Sequence, residues 1–487
     1  MFKNGLRYAG AITLLLLSHI AMLGVVLARG NYEQPMDLAV LTIAVLGFDL
    51  AGIIAAAVYR QMTYTLDLML VGILNMSLIY QSCFGAVHLS VKHLITCIAS
   101  MIACELGFLL ARNHEWIRMQ KKYIYGVIGL LILAILTLTG GRSMWINIGS
   151  FSLQPSEFIK PCFVLICAAS IVELHKKIKV LFFYVSVDTL CLCAATIVIF
   201  GLQWWCRDLG SLPTFAAIFG VALVCRLCYP RAKINKTAIA AMCVGGVLIA
   251  ALAWILAPSY VQERLHADIW ADQYGQGYQQ CQALIGIARG GWLGVGPGNG
   301  HLAEVFAHDS DIVFCSICEE WGLLYAGLTV VIILIMLTTV LMNPPKSYYH
   351  ATMAAGVVAA FVAQMALNIF GSCDLIPFTG VTLPFISTGG SSMVTCGFMV
   401  GMLKAGQSPL FHHEAMQRKQ QREQKKKQQA QQQEKPSARP GVQQSRPRTN
   451  PKPGTQQSRP RTNASQNTRS YSTNQHIRTQ QGRGDKA

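Results

Sequence analysis

The run HDSDIVFCSICEEWG, from His308 to Gly322, brings one histidine and four carboxylates (Asp309, Asp311, Glu319, Glu320) to the start of an apolar stretch. A carboxylate at an apolar boundary is desolvated, which raises its pKa and suits it to act as a general base. Asp311 and Glu319 are eight residues apart, about 12 Å along a helix, so they cannot adjoin on one helix. One acid of the set can do chemistry while the others hold structure.

Four further stretches carry candidates. Gly140–Phe163 holds Arg142 beside a glycine pair, a setting that suits bidentate phosphate binding. In the same stretch QPSE (Gln154–Glu157) opens an apolar helix, and Glu157 and Lys160, three apart, share a face and can pair. Such a pair is equally an interfacial anchor. QWWCRDLGS (Gln203–Ser211) places Arg207 and Asp208 after two tryptophans suited to a membrane interface, and the two charges can simply neutralise each other. Gly277–Gly300 holds Gln279 and Gln282 among glycines that permit tight turns and close approach of backbone to a ligand. It is no phosphate-binding Walker loop, since GK[ST] is absent. Asn368–Met393 is stiffened by Pro377 and Pro384, and its end, Ser387 and Gly389–Gly390–Ser391, leads into a helix whose first N–H groups can bind an anion such as a diphosphate.

The elements that must position these residues follow from composition. Of 487 residues 53% are hydrophobic and 13% charged, where a soluble chain carries roughly 25% charged. That deficit speaks against a cytosolic enzyme. Runs of the length needed to span a bilayer occur at 9–28, 38–59, 93–111, 123–141, 180–200, 238–257, 322–342 and 350–370, with weaker ones at 68–87, 158–174, 209–228 and 390–407. The expected fold is all-α: a polytopic integral membrane helical bundle of about 12 transmembrane helices. Its long connection, 258–321, exceeds the usual helix–helix link. Asp49, Glu105 and Asp188 fall inside spans and read equally as helix–helix partners or as functional groups. The CxxC pairs Cys225/Cys228 and Cys315/Cys318 read as small apolar fillers, with no second pair to complete a zinc site.

The net charge of +17 is concentrated at the end. From His412 onward there are 17 basic and 4 acidic residues, a net of +13. This segment is rich in Gln, Arg and Pro, repeats QQSRPRTN at 443–450 and 456–463, and has no apolar face to bury, so 409–487 is expected to be a disordered tail. With the N-terminus inside, alternating spans put 16 basic residues of the body on the inner face and 7 on the outer, the positive-inside pattern. Both termini are then cytoplasmic and the candidate residues extracytoplasmic, in the cell membrane. The tail is solvated or held to anionic membrane lipids; with Tyr471 the one Phe, Tyr or Trp from His412 onward, no specific nucleic acid is expected.

The stretches QPSE, DLG (Asp208–Gly210), the GYQ…GNG run and P.TG…PF.S.GGSS (Pro377–Ser392), in this order, resemble the SEDS family of FtsW, RodA and SpoVE over roughly residues 120–408. Arg207 stands where the family usually has Pro, and HDSD where it has an HTD-like run. The resemblance implies a ten-span core preceded by about two extra spans within 1–119. It implies a peptidoglycan glycosyltransferase that polymerises lipid II into a growing glycan strand, with Asp311 as the catalytic residue and the other candidates binding substrate. It further implies a class B penicillin-binding transpeptidase as partner and a divalent metal, Mg or Mn, whose ligands are unknown. The alternative is a flippase or transporter of a lipid-linked precursor, using the intramembrane acids.

Overall fold

The structure, a computed structural model, describes residues 2–408 except 60–63, 141–142, 149–150, 173–176, 181–182, 209, 230–268, 276, 343 and 346. The bundle begins with α1 (Phe2–Arg29), α2 (Pro35–Tyr59), α3 (Tyr64–Gln81), α4 (Val91–Ala111), α5 (His114–Leu138), α6 (Pro155–Val172), α7 (Val187–Trp205) and α8 (Ser211–Leu227). It continues through α9 (Tyr278–Gly290), the short α10 (Val313–Glu320), α11 (Leu323–Met342), α12 (Tyr348–Ser372) and α13 (Gly390–Gln407). Seven of these are long and apolar enough to cross a membrane, and α3 and α8 are shorter apolar helices. The chain is a multi-pass membrane protein. The span expected at 238–257 and the basic tail lie outside the described residues.

Where the sequence carries a capping residue, the helices start on it. Asn113 accepts the Trp116 N–H at the head of α5, and Ser186 accepts the Thr189 N–H at the head of α7. Proline, which has no N–H to leave orphaned, opens α2 and α6.

The bundle is all-α as expected, with two short antiparallel hairpins among its described connections: β1 (Ile146–Ile148) with β2 (Phe151–Leu153), and β3 (Lys177–Val180) with β4 (Phe183–Ser186). The second moves the start of α7 to Val187, seven residues beyond the start expected from hydropathy. Its apolar residues prolong the helical run in composition, yet β-branched and aromatic side chains suit a paired strand.

The tightest helix pair is α4 with α13. Gly397 and Gly401, spaced as GxxxG, have no room for a side chain: a Cβ would stand 2.0 Å from Ser100 O and from Cys104 O respectively. Small residues let backbones approach closely in lipid, where dispersion replaces the hydrophobic drive between helices.

The intramembrane acids are all engaged. Asp49 meets His19 Nδ1 at 2.8 Å, Asp188 meets Lys121, and Glu105 and Asp67 share Lys404, whose Nζ lies 2.9 Å from Asp67. These pairs join α1 to α2, α5 to α7, and α13 to both α3 and α4.

Candidate active site

The described candidate residues gather at one end of the bundle, where α3, α7 and α12 finish and α4, α6, α8 and α13 begin. The 269–321 connection is ordered there, through α9, a 3-10 turn at Leu302–Glu304 and α10.

Asp311 sits two residues before α10, partly exposed. Its N–H donates to Ala307 O at 3.0 Å, and its carbonyl accepts from Asn368 Nδ2 at 2.8 Å. The same Asn368 amide reaches Val381 O at 2.7 Å, so one side chain near the end of α12 ties the Asp311 loop to the 377–389 loop. The carboxylate of Asp311 faces Gly380: a Cβ there would stand 3.0 Å from Asp311 Oδ2, and Gly380 has φ 65°. Burial raises the Asp311 pKa to about 6; the Ser310 hydroxyl bond lowers it and the neighbouring Asp309 charge raises it. An acid poised there is largely ionised at neutral pH and still basic enough to accept a proton.

Around it the two loops are stitched together. Ser387 Oγ donates to Ser310 O at 2.7 Å and accepts from Leu383 N at 2.8 Å. Thr388 N–H donates to Asp309 O at 3.0 Å, and the Thr388 hydroxyl donates to the Asp309 carboxylate. Gln81, the last residue of α3, donates to Asp309 O at 2.9 Å and to Ile386 O at 2.8 Å.

The other motifs dock on the same loops. Gln154 N–H donates to Ser391 Oγ at 3.3 Å, and its side chain lies 3.5 Å from Asp208 Oδ2. Asp208 caps α8 by accepting Ser211 N–H at 3.2 Å and Ser211 Oγ–H at 2.8 Å. A Cβ on Gly210 would meet Thr379 O at 2.7 Å, which accounts for the glycine of DLG. Arg207 is exposed, in a left-handed turn with φ 57°. Glu157 and Lys160 form a buried pair at 2.6 Å on the first turns of α6. Gln279 donates to Phe306 O at 2.9 Å, and Gln282 is half-buried on α9. Gly389 and Gly390 lie at the start of α13, next to the bonded Ser391. Arg142 lies outside the described residues.

The glycine-rich run serves the protein's own backbone. A Cβ on Gly290 would meet Cys318 O at 2.0 Å, and one on Gly294 would meet Glu320 O at 2.2 Å. Glu320 is buried and accepts the N–H groups of Gly85, Gly298 and Gly300, while Glu319 pairs with Arg289 and accepts Leu302 N–H at 2.8 Å. The glycines thus wrap the end of α10, and the two glutamates are structural.

Among the described residues, Asp67, Cys104 and Glu105 form a group compact enough to ligate a metal. It lies about 21 Å along α3 from Gln81, and Lys404 already occupies it.

Asn368, Gln81 and the Asp309–Thr388 contact were not among the sequence candidates. A carboxamide within an apolar helix is a usable signal, because in lipid it must find a partner; Asn368 is such a residue.

Comparison with known proteins gives the family. A family model for FtsW, RodA and SpoVE, described as cell cycle protein, matches residues 55–407. The chain belongs to this family. The FtsW/RodA/SpoVE match starts within α2, about 65 residues ahead of residue 120, where the resemblance was expected to begin, and leaves α1 and most of α2 outside it. The chain is 30% identical over 332 residues to the probable peptidoglycan glycosyltransferase FtsW of Pseudomonas fluorescens (strain SBW25), covering 66% of this chain and 79% of that one. It is 27% identical over 331 residues to the peptidoglycan glycosyltransferase RodA of Mycobacterium bovis (strain ATCC BAA-935 / AF2122/97), covering 64% and 69%. Its fold is similar to a chain solved in a peptidoglycan synthase complex that coordinates polymerization and crosslinking, with TM-score 0.53, 18% identity, and coverage of 70% of this chain and 97% of that one.

Proposed function

We propose that this chain is a peptidoglycan glycosyltransferase that polymerises lipid II into glycan strands at the extracytoplasmic end of the bundle, beside a class B penicillin-binding transpeptidase. The observation that carries the reading is the position of Asp311: a partly exposed carboxylate raised by burial, at the point where the motif-bearing loops meet. The names of the relatives supply the reaction class.

In this reading Asp311 takes the proton of the acceptor sugar hydroxyl. The hydroxyl oxygen bonds to the anomeric carbon of the donor, whose bond to the diphosphate oxygen breaks, and the lipid diphosphate departs. Basic groups must offset its charge. Arg207 is at the surface near the loops and Lys160 is held by Glu157; Arg142, outside the described residues, is the third basic candidate from the sequence. A divalent cation, Mg or Mn, fits as an ion shared with substrate, since such ions often bind through one or two carboxylates and substrate phosphates. No ligand for it on this chain is assigned, and it would neutralise diphosphate charge. Gln279, Gln282, Ser387, Gly389, Gly390 and Ser391 would contact sugar or diphosphate.

The positive-inside count supports cytoplasmic termini. The alternative, a precursor flippase, would use intramembrane acids, and each of those expected from sequence already has a side-chain partner. The test is extension of lipid II by the purified chain with and without its transpeptidase. Long glycan chains support the reading; movement of lipid II across liposomes without polymer would replace it.

A further inference from the structure

The short connection between α1 and α2 precedes the family match, which begins at residue 55, yet it is tied into the loop that supports the site. The Arg29 guanidinium forks onto two successive carbonyls: Nη1 to Leu293 O at 2.9 Å and Nη2 to Gly294 O at 2.7 Å. Asn299 Nδ2 returns a bond to Arg29 O at 3.2 Å. Asn31 N–H donates to Pro297 O at 2.8 Å, and Asn31 Nδ2 to Gly298 O at 3.2 Å. The carbonyl of Asn31 in turn accepts Val87 N–H at 2.9 Å, from the turn after α3. The approach is close: a Cβ on Gly296 would stand 2.7 Å from Arg29 O.

That loop grips the far end of α10. Val295 N–H donates to Glu319 O at 2.9 Å and Gly296 N–H to Glu320 O at 3.0 Å, and Gly298 and Gly300 bond the Glu320 carboxylate. Only eight residues long, α10 is a stiff rod whose other end begins two residues after Asp311. Asn368 holds Asp311 from α12; the glycine loop holds α10 from its opposite end. A planar fork suits two neighbouring acceptors as an ammonium does not.

We infer that Arg29 is a positioning residue: with Asn31 it makes the leading helix pair an intramolecular brace that fixes the glycine loop, and through α10 the placement of Asp311. The inference rests on the reading of Asp311 as the catalytic base, because small misplacements of a reacting group are costly in rate.

The test uses the full chain with its transpeptidase, comparing wild type with Arg29→Ala, Arg29→Lys and Asn31→Ala. Three quantities are read: kcat and KM for lipid II, amide hydrogen exchange over 293–300 and 309–316, and the melting temperature. For Arg29→Ala the expected result is a kcat about tenfold lower, a KM within about twofold of wild type, and faster exchange in both segments. Arg29→Lys, which keeps the charge but not the fork, recovers the rate only in part, and Asn31→Ala moves kcat the same way by less. Wild-type kcat in Arg29→Ala overturns the brace, as does faster exchange confined to 293–300. A loss of rate that merely tracks loss of folded protein, unrecovered by lysine, also overturns it. A wild-type chain that never extends lipid II refutes the glycosyltransferase reading instead, and exchange at 309–316 then decides the brace alone.

Discussion

Two pairs of acids lie within twelve residues of each other and are treated in opposite ways. Glu319 and Glu320 are buried at the end of α10 and are saturated: three glycine N–H groups point at Glu320, and Arg289 with Leu302 N–H serves Glu319. Asp309 and Asp311 stand before α10, partly exposed, with backbone rather than carboxylates carrying most of the tethering. A carboxylate surrounded by donors is fixed and unreactive. One held by its own backbone keeps oxygen lone pairs available for substrate. The contrast assigns structure to the glutamates and chemistry to Asp311, and it can be broken by substitution.

The largest expected effect is at Asp311. Asp311→Asn should lower lipid II polymerisation by about 10²–10⁴, the usual contribution of a general base. Stability should not fall. The folded carboxyl is raised to about 6, above its ordinary value, so its charge weighs against the fold as pH rises through about 6, and the amide removes that charge. Polymerase activity and a melting curve of the same preparation check both parts. A folded variant with full activity would remove Asp311 from the reaction.

Next comes the buried Glu157–Lys160 pair. Lys160→Met leaves a buried carboxylate without its cation, which typically costs about 3–5 kcal/mol. Adding Glu157→Gln should restore most of the melting temperature. Activity that returns with stability marks the pair as scaffold; activity that stays low marks Lys160 as a diphosphate contact.

These contrasts were only partly legible in sequence. The apolar runs that became α1, α2 and α4 announce themselves, since every backbone group in lipid must be paired inside the segment. The start of α7 was obscured because the stretch from 180 to 186 has the composition of a span, while its ends belong to a hairpin. Asp311 stood out as an acid at an apolar boundary. Its supports did not: Asn368 lies 57 residues away and joins two loops whose proximity exists only after folding. The glycine run was legible as permissive backbone, while what it approaches, the end of α10 rather than a ligand, required the packing.

A smaller effect is expected at Gly380. It combines φ 65° with an Asp311 oxygen 3.0 Å from any added Cβ. Alanine there should cost about 1–2 kcal/mol for the left-handed backbone and should push on the carboxylate, lowering kcat by about tenfold. Gly294→Ala, which crowds the glutamate end of α10 and reaches Asp311 only through that helix, should lose less rate per folded molecule than Gly380→Ala. Equal rate losses in the two variants would erase the proposed distinction.

The smallest effect sharpens the comparison from inside the reactive pair. If Asp311 must be ionised to act, kcat/KM falls on the acid side by about tenfold per pH unit below an apparent pKa near 6. Burial is the main cause of that position, and the negative charge of Asp309 adds to it. Asp309→Asn removes the charge while its side-chain oxygen can still accept the Thr388 hydroxyl. The acid limb should then move to lower pH, because without the neighbouring charge Asp311 ionises more easily. The move should be a minor part of the whole shift, since burial is unchanged. A limb that stays in place would mean that another group controls it, and a limb that moves upward would contradict the electrostatic account of Asp311.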